Sequence, residues 1–133
     1  MKVMLTGATG FIGGHLLKAA ITAGHDIRLL VRDAEKLTKM LFLQGIEQDI
    51  EYVVGDMTDP DAVTSALEGC DACIHAAAFT SLDPSLMDQA LAVNGPGAQL
   101  ILDTAHRQSC DPIIHVSTMS VIFPPTGDLL SGD

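Results

Sequence analysis

The sequence predicts an α/β fold built on a doubly wound parallel sheet of about five strands in the order 3-2-1-4-5. Short apolar runs alternate with longer helical segments along all 133 residues, and no repeat or low-complexity tract interrupts them. The first apolar run leads directly into a turn that contains three glycines. Because right-handed crossovers between parallel strands allow few topologies, the same pattern predicts a ligand crevice where the strand order reverses.

Each element has its own signal in the sequence. Short apolar runs predict strands at about residues 2–6, 27–31, 50–54, 71–75 and 112–117. Longer amphipathic segments between them predict helices at about residues 11–23, 34–43, 60–68 and 85–108. Gly24 ends the first helix, and Asp33 can cap the second. Asp59 and Asp83 each precede a proline, the combination that starts a helix, so capping explains Asp59 better than a catalytic role does.

The last predicted helix carries an unusual interruption, Asn94-Gly95-Pro96-Gly97. Two glycines lower helix stability, and a proline inside a helix lacks the N–H that its turn requires. We therefore expect a kink or a weak point in this helix.

The turn after strand 1 has the features of an anion-binding site. Gly7, Gly10 and Gly13 stand three residues apart, so the backbone can turn sharply, approach a ligand and pack a helix against a strand. The unpaired N–H groups of the following helix would face a pyrophosphate. A tight turn without a ligand is the alternative, although packing alone explains this spacing poorly.

Charge and hydropathy exclude several classes of protein. Seven basic and 17 acidic residues give a net charge of −10, which argues against nucleic-acid binding. There is no apolar run long enough to span a bilayer and no signal-peptide pattern, so we expect a cytoplasmic protein without membrane contact. The negative charge of the protein would repel an anionic cofactor, which would therefore need nearby hydrogen-bond donors and cations to hold it. Arg28 and Arg32 are the candidates for this role.

The cysteines do not predict a metal or redox centre. Cys70 and Cys73 have the C-x-x-C spacing, but the residues between and after them form an apolar run typical of a buried strand. A zinc site would need a second pair, and only Cys110 and two histidines are available to supply it. Packed thiols are the expected state.

Five motifs together resemble one known family. They are Thr6-Gly7-x-x-Gly10-x-x-Gly13, Gly55-Asp56-Met57, His75-Ala76-Ala77-Ala78, Val93-Asn94 and Val116-Ser117-Thr118. In this order they resemble the extended short-chain dehydrogenase/reductase family, especially its NAD-dependent epimerase/dehydratase and dihydroflavonol-reductase-like members. The resemblance implies a Rossmann-type NAD(P)-binding domain over residues 1–133, incomplete at its end, with 119–133 as a substrate-side loop or a frayed tail.

The resemblance also implies positions for the cofactor. Backbone groups around the glycine turn would surround the pyrophosphate, Asp56 and Met57 would meet the adenine, and three alanines would lie against the ribose and pyrophosphate. The implied cofactor-binding residues are Gly7, Thr9, Gly10, Phe11, Ile12, Gly13, Arg32, Asp56, Met57, Ala76, Ala77, Ala78 and Val116. By the same resemblance, Asn94 and Gly97 would support the packing beneath the cofactor.

Arg32 bears on the choice between NAD and NADP. It stands at the end of strand 2, about 20 residues beyond the glycine turn, where an acidic side chain would bind the ribose hydroxyls of NAD. A guanidinium there can pair with a 2′-phosphate, so the sequence favours NADP over NAD. The alternative is an exposed charge beside a helix. Arg28 lies earlier in the strand and is expected to face away from the crevice.

Catalytic residues are largely missing from the sequence. Thr118 matches the hydroxyl that, in the family, holds the reacting oxygen of the substrate, although hydroxyls that cap a strand end are the alternative. The family's Tyr-x-x-x-Lys pair has no counterpart, because the only tyrosine is Tyr52 and no lysine follows Lys39. No Gly-x-Ser-x-Gly elbow accompanies Ser117, which argues against a hydrolase. The 133-residue chain alone is therefore expected to be inactive.

Two functions remain open on this basis. The first is the cofactor-binding part of an NAD(P)-dependent oxidoreductase or epimerase that transfers hydride at a hydroxyl or carbonyl carbon of a small-molecule substrate, with a homodimer possible for the full-length protein. The second is a non-catalytic NAD(P)-binding sensor or interaction module. A remnant that keeps the fold without a ligand is a third option.

Overall fold

The computed structural model describes residues 1–81 and 83–118. These residues form one parallel five-stranded sheet with helices on both faces, in the order β3-β2-β1-β4-β5 that the sequence predicts. The strands are β1 (Lys2–Thr6), β2 (Asp26–Val31), β3 (Glu51–Val54), β4 (Ala72–His75) and β5 (Ile113–His115). The helices are α1 (Phe11–Thr22), α2 (Ala34–Leu43), α3 (Pro60–Leu67) and α4 (Met87–Arg107), with a 3₁₀ turn at Pro84–Leu86.

β1 is the central strand of the sheet and sets the position of the reversal in strand order. It pairs with β2 on one side and with β4 on the other. Its last residue, Thr6, is level with Leu30 of β2 and with His75 of β4. The chain leaves β1 and β4 at the same edge of the sheet, so the segments after both strands meet there.

Alternate residues of β1 face the two hydrophobic cores. Val3 and Leu5 pack with Leu17 of α1 and Leu37 of α2, all of them buried. Met4 faces the opposite core, which α3 and α4 cover. This period of two in a strand buried on both faces is the pattern of a doubly wound sheet.

The predicted helix caps are confirmed. The side chain of Asp33 accepts a hydrogen bond from the Lys36 N–H, and Asp59 accepts from the N–H groups of Asp61 and Ala62. Asp83 accepts from the Ser85 N–H, although the turn it starts is 3₁₀. Each carboxylate thereby satisfies donors that have no partner inside the helix.

Two elements differ from the sequence-based ones by more than one residue. β5 comprises only Ile113–His115, and Pro112, which was expected to begin it, has no N–H to give to the sheet. The last helix is divided into the 3₁₀ turn and α4, and α4 continues through Pro96 from Met87 to Arg107. Gly95 lacks the Cβ that would clash with the Pro96 ring, which removes one of the obstacles to a helix at this point.

Arg28 and the cysteines have structural roles. Arg28 lies on the α3 side of the sheet, where its guanidinium pairs with Glu51 at 2.7 Å and donates to carbonyls at the end of α3. It therefore faces away from the crevice, as expected. Cys70, Cys73 and Cys110 are free and buried, and burial with the neighbouring thiols raises the pKa of Cys73 to about 12. Within 1–81 and 83–118, no cluster of His, Cys, Asp or Glu is arranged for a metal ion.

No helix within residues 1–81 and 83–118 is both long and apolar enough to cross a membrane.

Candidate functional site

A cleft of about 380 Å³ opens where the strand order reverses. It lies between the turn after β1 and the segments that follow β2, β3 and β4. Its lining comprises Thr6, Gly7, Ala8, Thr9, Gly10, Leu30, Val31, Arg32, Lys36, Gly55, Asp56, Met57, Ala76, Ala77, Ala78, Phe79, Thr80 and Val93. Nine of the residues expected to bind a cofactor are therefore brought together at one edge of the sheet.

The glycine turn forms one wall of the cleft because its backbone comes closer to its neighbours than a side chain would permit. Gly7 has a φ of +78°, and a Cβ there would lie 2.6 Å from the backbone carbon of Ala76. A Cβ on Gly13 would overlap the carbonyl group of Gly7. Gly7 thus allows β1 and β4 to end side by side, and Gly13 allows α1 to pack directly on the turn.

The N-terminus of α1 offers unpaired donors at this wall. Gly10 is its N-cap residue, no side chain caps its N–H groups, and no acidic residue occupies its first turn. Two of the other helices have side-chain caps, Asp33 for α2 and Asp59 for α3, whereas α4 has none but carries Asp88 in its first turn. A helix start with free N–H groups and the positive end of the dipole is suited to an anion.

The opposite wall carries two cations and one carboxylate. Arg32, whose side chain is 67% exposed, directs Nη1 to 3.9 Å from Oδ2 of Asp56. Oδ1 of Asp56 accepts from the N–H and the hydroxyl of Thr58. Partial burial opposes ionisation of Asp56, but these bonds and the Arg32 charge hold its pKa below the usual value. Lys36, in the first turn of α2 and four residues after Arg32, is the second cation of the lining.

Lys36 is a residue of the cleft that sequence reasoning missed. A basic residue in the first turn of a helix opposes the helix dipole, so its presence there was the available signal. Leu30, Val31, Phe79 and Thr80 also line the cleft, and they do so through their position at or after the strand ends. Val93 of α4 lines it as well; it belongs to the Val93-Asn94 motif but had not been assigned to the cofactor.

Met57 forms the base of the cleft below the Arg32 side. Its side chain is 7% exposed and belongs to the core between the sheet and α3 and α4. Gly97 of α4 lies directly behind it, since a Cβ on Gly97 would come within 2.7 Å of Cγ of Met57. The close packing expected at Gly97 is therefore present.

Asn94 holds the segment that follows β4. Its Oδ1 accepts from the Phe79 N–H at 2.7 Å, and its Nδ2 donates to the Phe79 carbonyl at 2.9 Å. The amide thus satisfies both backbone groups of one cleft residue, as a strand partner would. The supporting role expected for Asn94 is carried out on Phe79.

Five residues expected at the site do not line the cleft. Phe11 and Ile12 start α1 with exposed side chains, and Gly13 is buried beneath the turn. Val116 follows β5 and donates its N–H to the His75 carbonyl. Thr118 is exposed beyond β5. The expectation of a substrate-side loop or tail at 119–133 lies outside the described residues.

The chain is similar to known proteins over most of its length. The model of the 3-beta hydroxysteroid dehydrogenase/isomerase family matches residues 4–133. A dTDP-glucose 4,6-dehydratase from Streptomyces antibioticus is 34% identical over 128 residues, which cover 91% of this chain and 38% of that enzyme. Sterol demethylase protein B from Methylococcus capsulatus is 28% identical over 122 residues, or 92% of this chain and 36% of the relative.

A solved structure is similar to this chain as well. A short-chain dehydrogenase/reductase superfamily protein from Agrobacterium tumefaciens, with bound NAD, superposes with a TM-score of 0.73 at 26% identity. The alignment covers 89% of this chain and 33% of that protein. The chain thus spans little more than a third of the length of the relatives it matches.

Proposed function

The chain belongs to the 3-beta hydroxysteroid dehydrogenase/isomerase family, within the extended short-chain dehydrogenases/reductases, and on that premise we propose that it is the cofactor-binding part of an NAD(P)-dependent oxidoreductase or epimerase. The reaction is hydride transfer at a hydroxyl or carbonyl carbon of a small-molecule substrate. The single observation that carries the proposal is the cleft at the reversal of strand order, with an uncapped helix start on one wall and two cations on the other.

The residues of the cleft fit a dinucleotide. Gly7 and Gly13 let the turn pack closely against Ala76 and against α1, and the free N–H groups at the start of α1 suit a pyrophosphate. Thr9, Gly10, Phe11 and Ile12 supply the backbone around it. The remaining contacts are assigned to Asp56 and Met57 at the adenine and to Ala76, Ala77 and Ala78 along the ribose and pyrophosphate, and Val116 is also assigned to the cofactor. The bound nicotinamide would supply the hydride acceptor or donor.

Within this site, NADP is the preferred cofactor. Arg32 occupies the end of β2, and Lys36 follows it on the same side of the cleft. The neighbouring Asp33 is engaged as the cap of α2, where it accepts from the Lys36 N–H. Two cations and no free carboxylate at the end of β2 favour a 2′-phosphate over a bare ribose.

Titration calorimetry of NADPH and NADH tests this assignment. The Arg32→Asp variant replaces a cation that would donate hydrogen bonds to the 2′-phosphate by a carboxylate that repels it. We therefore expect NADPH affinity to fall about ten- to hundredfold while NADH affinity is kept or improved. Lys36→Ala should weaken NADPH alone by about tenfold or less. Lys39→Ala, on the same helix but outside the cleft lining, is the matched control and should change neither affinity.

Two results would contradict the proposal at different levels. If Arg32→Asp keeps the wild-type ratio of NADPH to NADH affinity, the preference for NADP is wrong. If the folded wild-type chain binds neither nucleotide, the cofactor site itself is wrong.

The remaining parts of the proposal concern the complete protein. Thr118 is the proposed catalytic hydroxyl, which would hold the reacting oxygen of the substrate. A small-molecule substrate, a homodimer and a cytoplasmic location are proposed with it, the last in keeping with three unpaired thiols. The two curated relatives described above carry enzyme names, which favours an enzyme over a non-catalytic sensor module.

A further inference from the structure

Two buried polar side chains, Thr6 and His75, lie behind Ala76 and Ala77 of the cleft, and neither side chain has been assigned a contact with the cofactor. Thr6 at the end of β1 is 1% exposed, and His75 at the end of β4 is also 1% exposed. Oγ1 of Thr6 lies 2.7 Å from Nδ1 of His75. The same oxygen lies 3.1 Å from the backbone nitrogens of both Ala76 and Ala77, which line the cleft.

The direction of each hydrogen bond follows from the chemistry of a hydroxyl group. A threonine hydroxyl has one proton to donate and two lone pairs to accept with. The N–H groups of Ala76 and Ala77 are donors only, so they use both lone pairs. The hydroxyl proton must therefore go to Nδ1 of His75, which has to be unprotonated. His75 is consequently neutral, with its single ring proton on Nε2.

The surroundings of His75 favour this state. The His115 ring of β5 stacks on it with centroids 5.1 Å apart. Burial and the nearby His115 lower the pKa of His75 to about 4. The His75 carbonyl accepts from the Val116 N–H, so the residue is fixed on the β5 side as well.

We infer that His75 is a positioning residue for the cofactor cleft: its Nδ1 orients the Thr6 hydroxyl, and that hydroxyl holds the backbone of Ala76 and Ala77 in the shape the ligand requires. Two successive N–H groups that converge on one point form a concavity that elsewhere binds an anion. Here the Thr6 hydroxyl fills the concavity, so the N–H groups of Ala76 and Ala77 are already engaged. The cleft wall at these residues therefore presents backbone without free N–H groups that would compete with the start of α1 for an anion. The inference rests on the proposed function of the cleft.

The experiment measures NADPH and NADH affinity by calorimetry in single and double variants of the full chain. Thr6→Val keeps the shape and removes the hydroxyl, whereas Thr6→Ser keeps the hydroxyl. His75→Leu removes the acceptor, whereas His75→Asn returns an acceptor near the position of Nδ1. Thr104→Val is the matched control, because Thr104 is also buried and hydrogen-bonded by a side chain, that of Arg107, but lies outside the cleft lining.

We expect Thr6→Val and His75→Leu each to weaken binding about tenfold, and the double variant to be no weaker than either one. Thr6→Ser, His75→Asn and Thr104→Val should bind within about threefold of the wild type. A folded His75→Leu with wild-type affinity, or additive losses in the double variant, would overturn the inference.

A measurement on the unmodified chain covers the case in which variants fail to fold. Long-range ¹H–¹⁵N correlation spectra distinguish the two neutral tautomers of His75. We expect protonation at Nε2 at neutral pH, and protonation at Nδ1 would refute the inference. If the wild type binds no nucleotide while His75 shows the expected tautomer, the proposed function fails and the Thr6–His75 hydrogen bond itself stands.

Discussion

At the scale of single residues, the buried His75 ties the stability of the fold to pH. Its ordinary pKa of 6.5 is lowered to about 4 in the folded chain, chiefly by burial and secondarily by His115. The unfolded chain therefore binds a proton between these two values, whereas the folded chain does not. The stabilisation is complete above about pH 6.5 and is lost progressively as the pH falls towards about 4.

We expect this residue to account for about 3 kcal/mol of the unfolding free energy lost across that window. The measurement is urea denaturation at several pH values between 7.5 and 4.5, for the wild type and for His75→Asn, which cannot titrate. The variant should lose less stability than the wild type over this range. Equal losses in the two proteins would show that His75 does not titrate as described.

The residues that the sequence identified and those it missed differ in a physical way. Gly7, Arg32 and Asp56 stand at fixed positions relative to a strand end, so a local motif predicts their place in the cleft. Lys36 reaches the cleft only because α2 begins beside Arg32, and Phe79 because Asn94 holds it. The Thr6–His75 bond joins residues 69 positions apart, and no local pattern encodes such a contact.

At the scale of elements, the start of α1 contains two neighbouring glycines, Gly13 and Gly14, whose surroundings differ. A Cβ on Gly13 would meet the backbone of Gly7 and Ala8, which cannot move without displacing the turn. A Cβ on Gly14 would meet chiefly the side-chain amide of Gln44, which can rotate away. Both residues are buried in α1, so they form a natural pair of test and control.

Gly13→Ala should therefore lower the unfolding free energy by about 1–3 kcal/mol through overpacking, and it should weaken nucleotide binding. Gly14→Ala should remain within about 1 kcal/mol of the wild type, since alanine is the better helix former and offsets the shift of Gln44. Thermal unfolding with and without NADPH measures both effects. Equal destabilisation by the two substitutions would contradict the contact between α1 and the turn.

Element boundaries were predictable where a local rule sets them. Asp33 and Asp59 start their helices by capping, and the bounds of α2 agree with those predicted from the sequence. Pro96 is the opposite case, because α4 runs through it from Met87 to Arg107 despite the low helix propensity of Asn94-Gly95-Pro96-Gly97. Such continuity depends on tertiary context, which intrinsic propensity does not report.

At the scale of the whole molecule, the cleft draws its walls from segments that follow four different elements, so ligand binding should stabilise the fold as a unit. At an NADPH concentration of about one hundred times Kd, the stabilisation should be about 2.7 kcal/mol. This corresponds to a rise of about 8–12 °C in Tm. Differential scanning calorimetry measures it, and Arg32→Asp should show a smaller rise at the same concentration.

The same 133-residue chain should transfer no hydride to carbonyl substrates, because it holds neither a Tyr-x-x-x-Lys pair nor a lysine after Lys39. NADPH absorbance in the presence of a panel of ketones and aldehydes tests this. Substrate-dependent oxidation that survives in Tyr52→Phe would show that other groups perform the chemistry.

The central position of β1 also has a consequence for how the chain folds as it is synthesised. Of the five strands, β1 is made before the others, and its first neighbour, β2, follows some 20 residues later. Its second neighbour, β4, pairs Val3 with Ala72 and becomes available only some 70 residues after β1. The strand at the middle of the sheet is thus the earliest to emerge and stays open on one side until β4 arrives, which is a period when a chaperone would have an exposed apolar edge to protect.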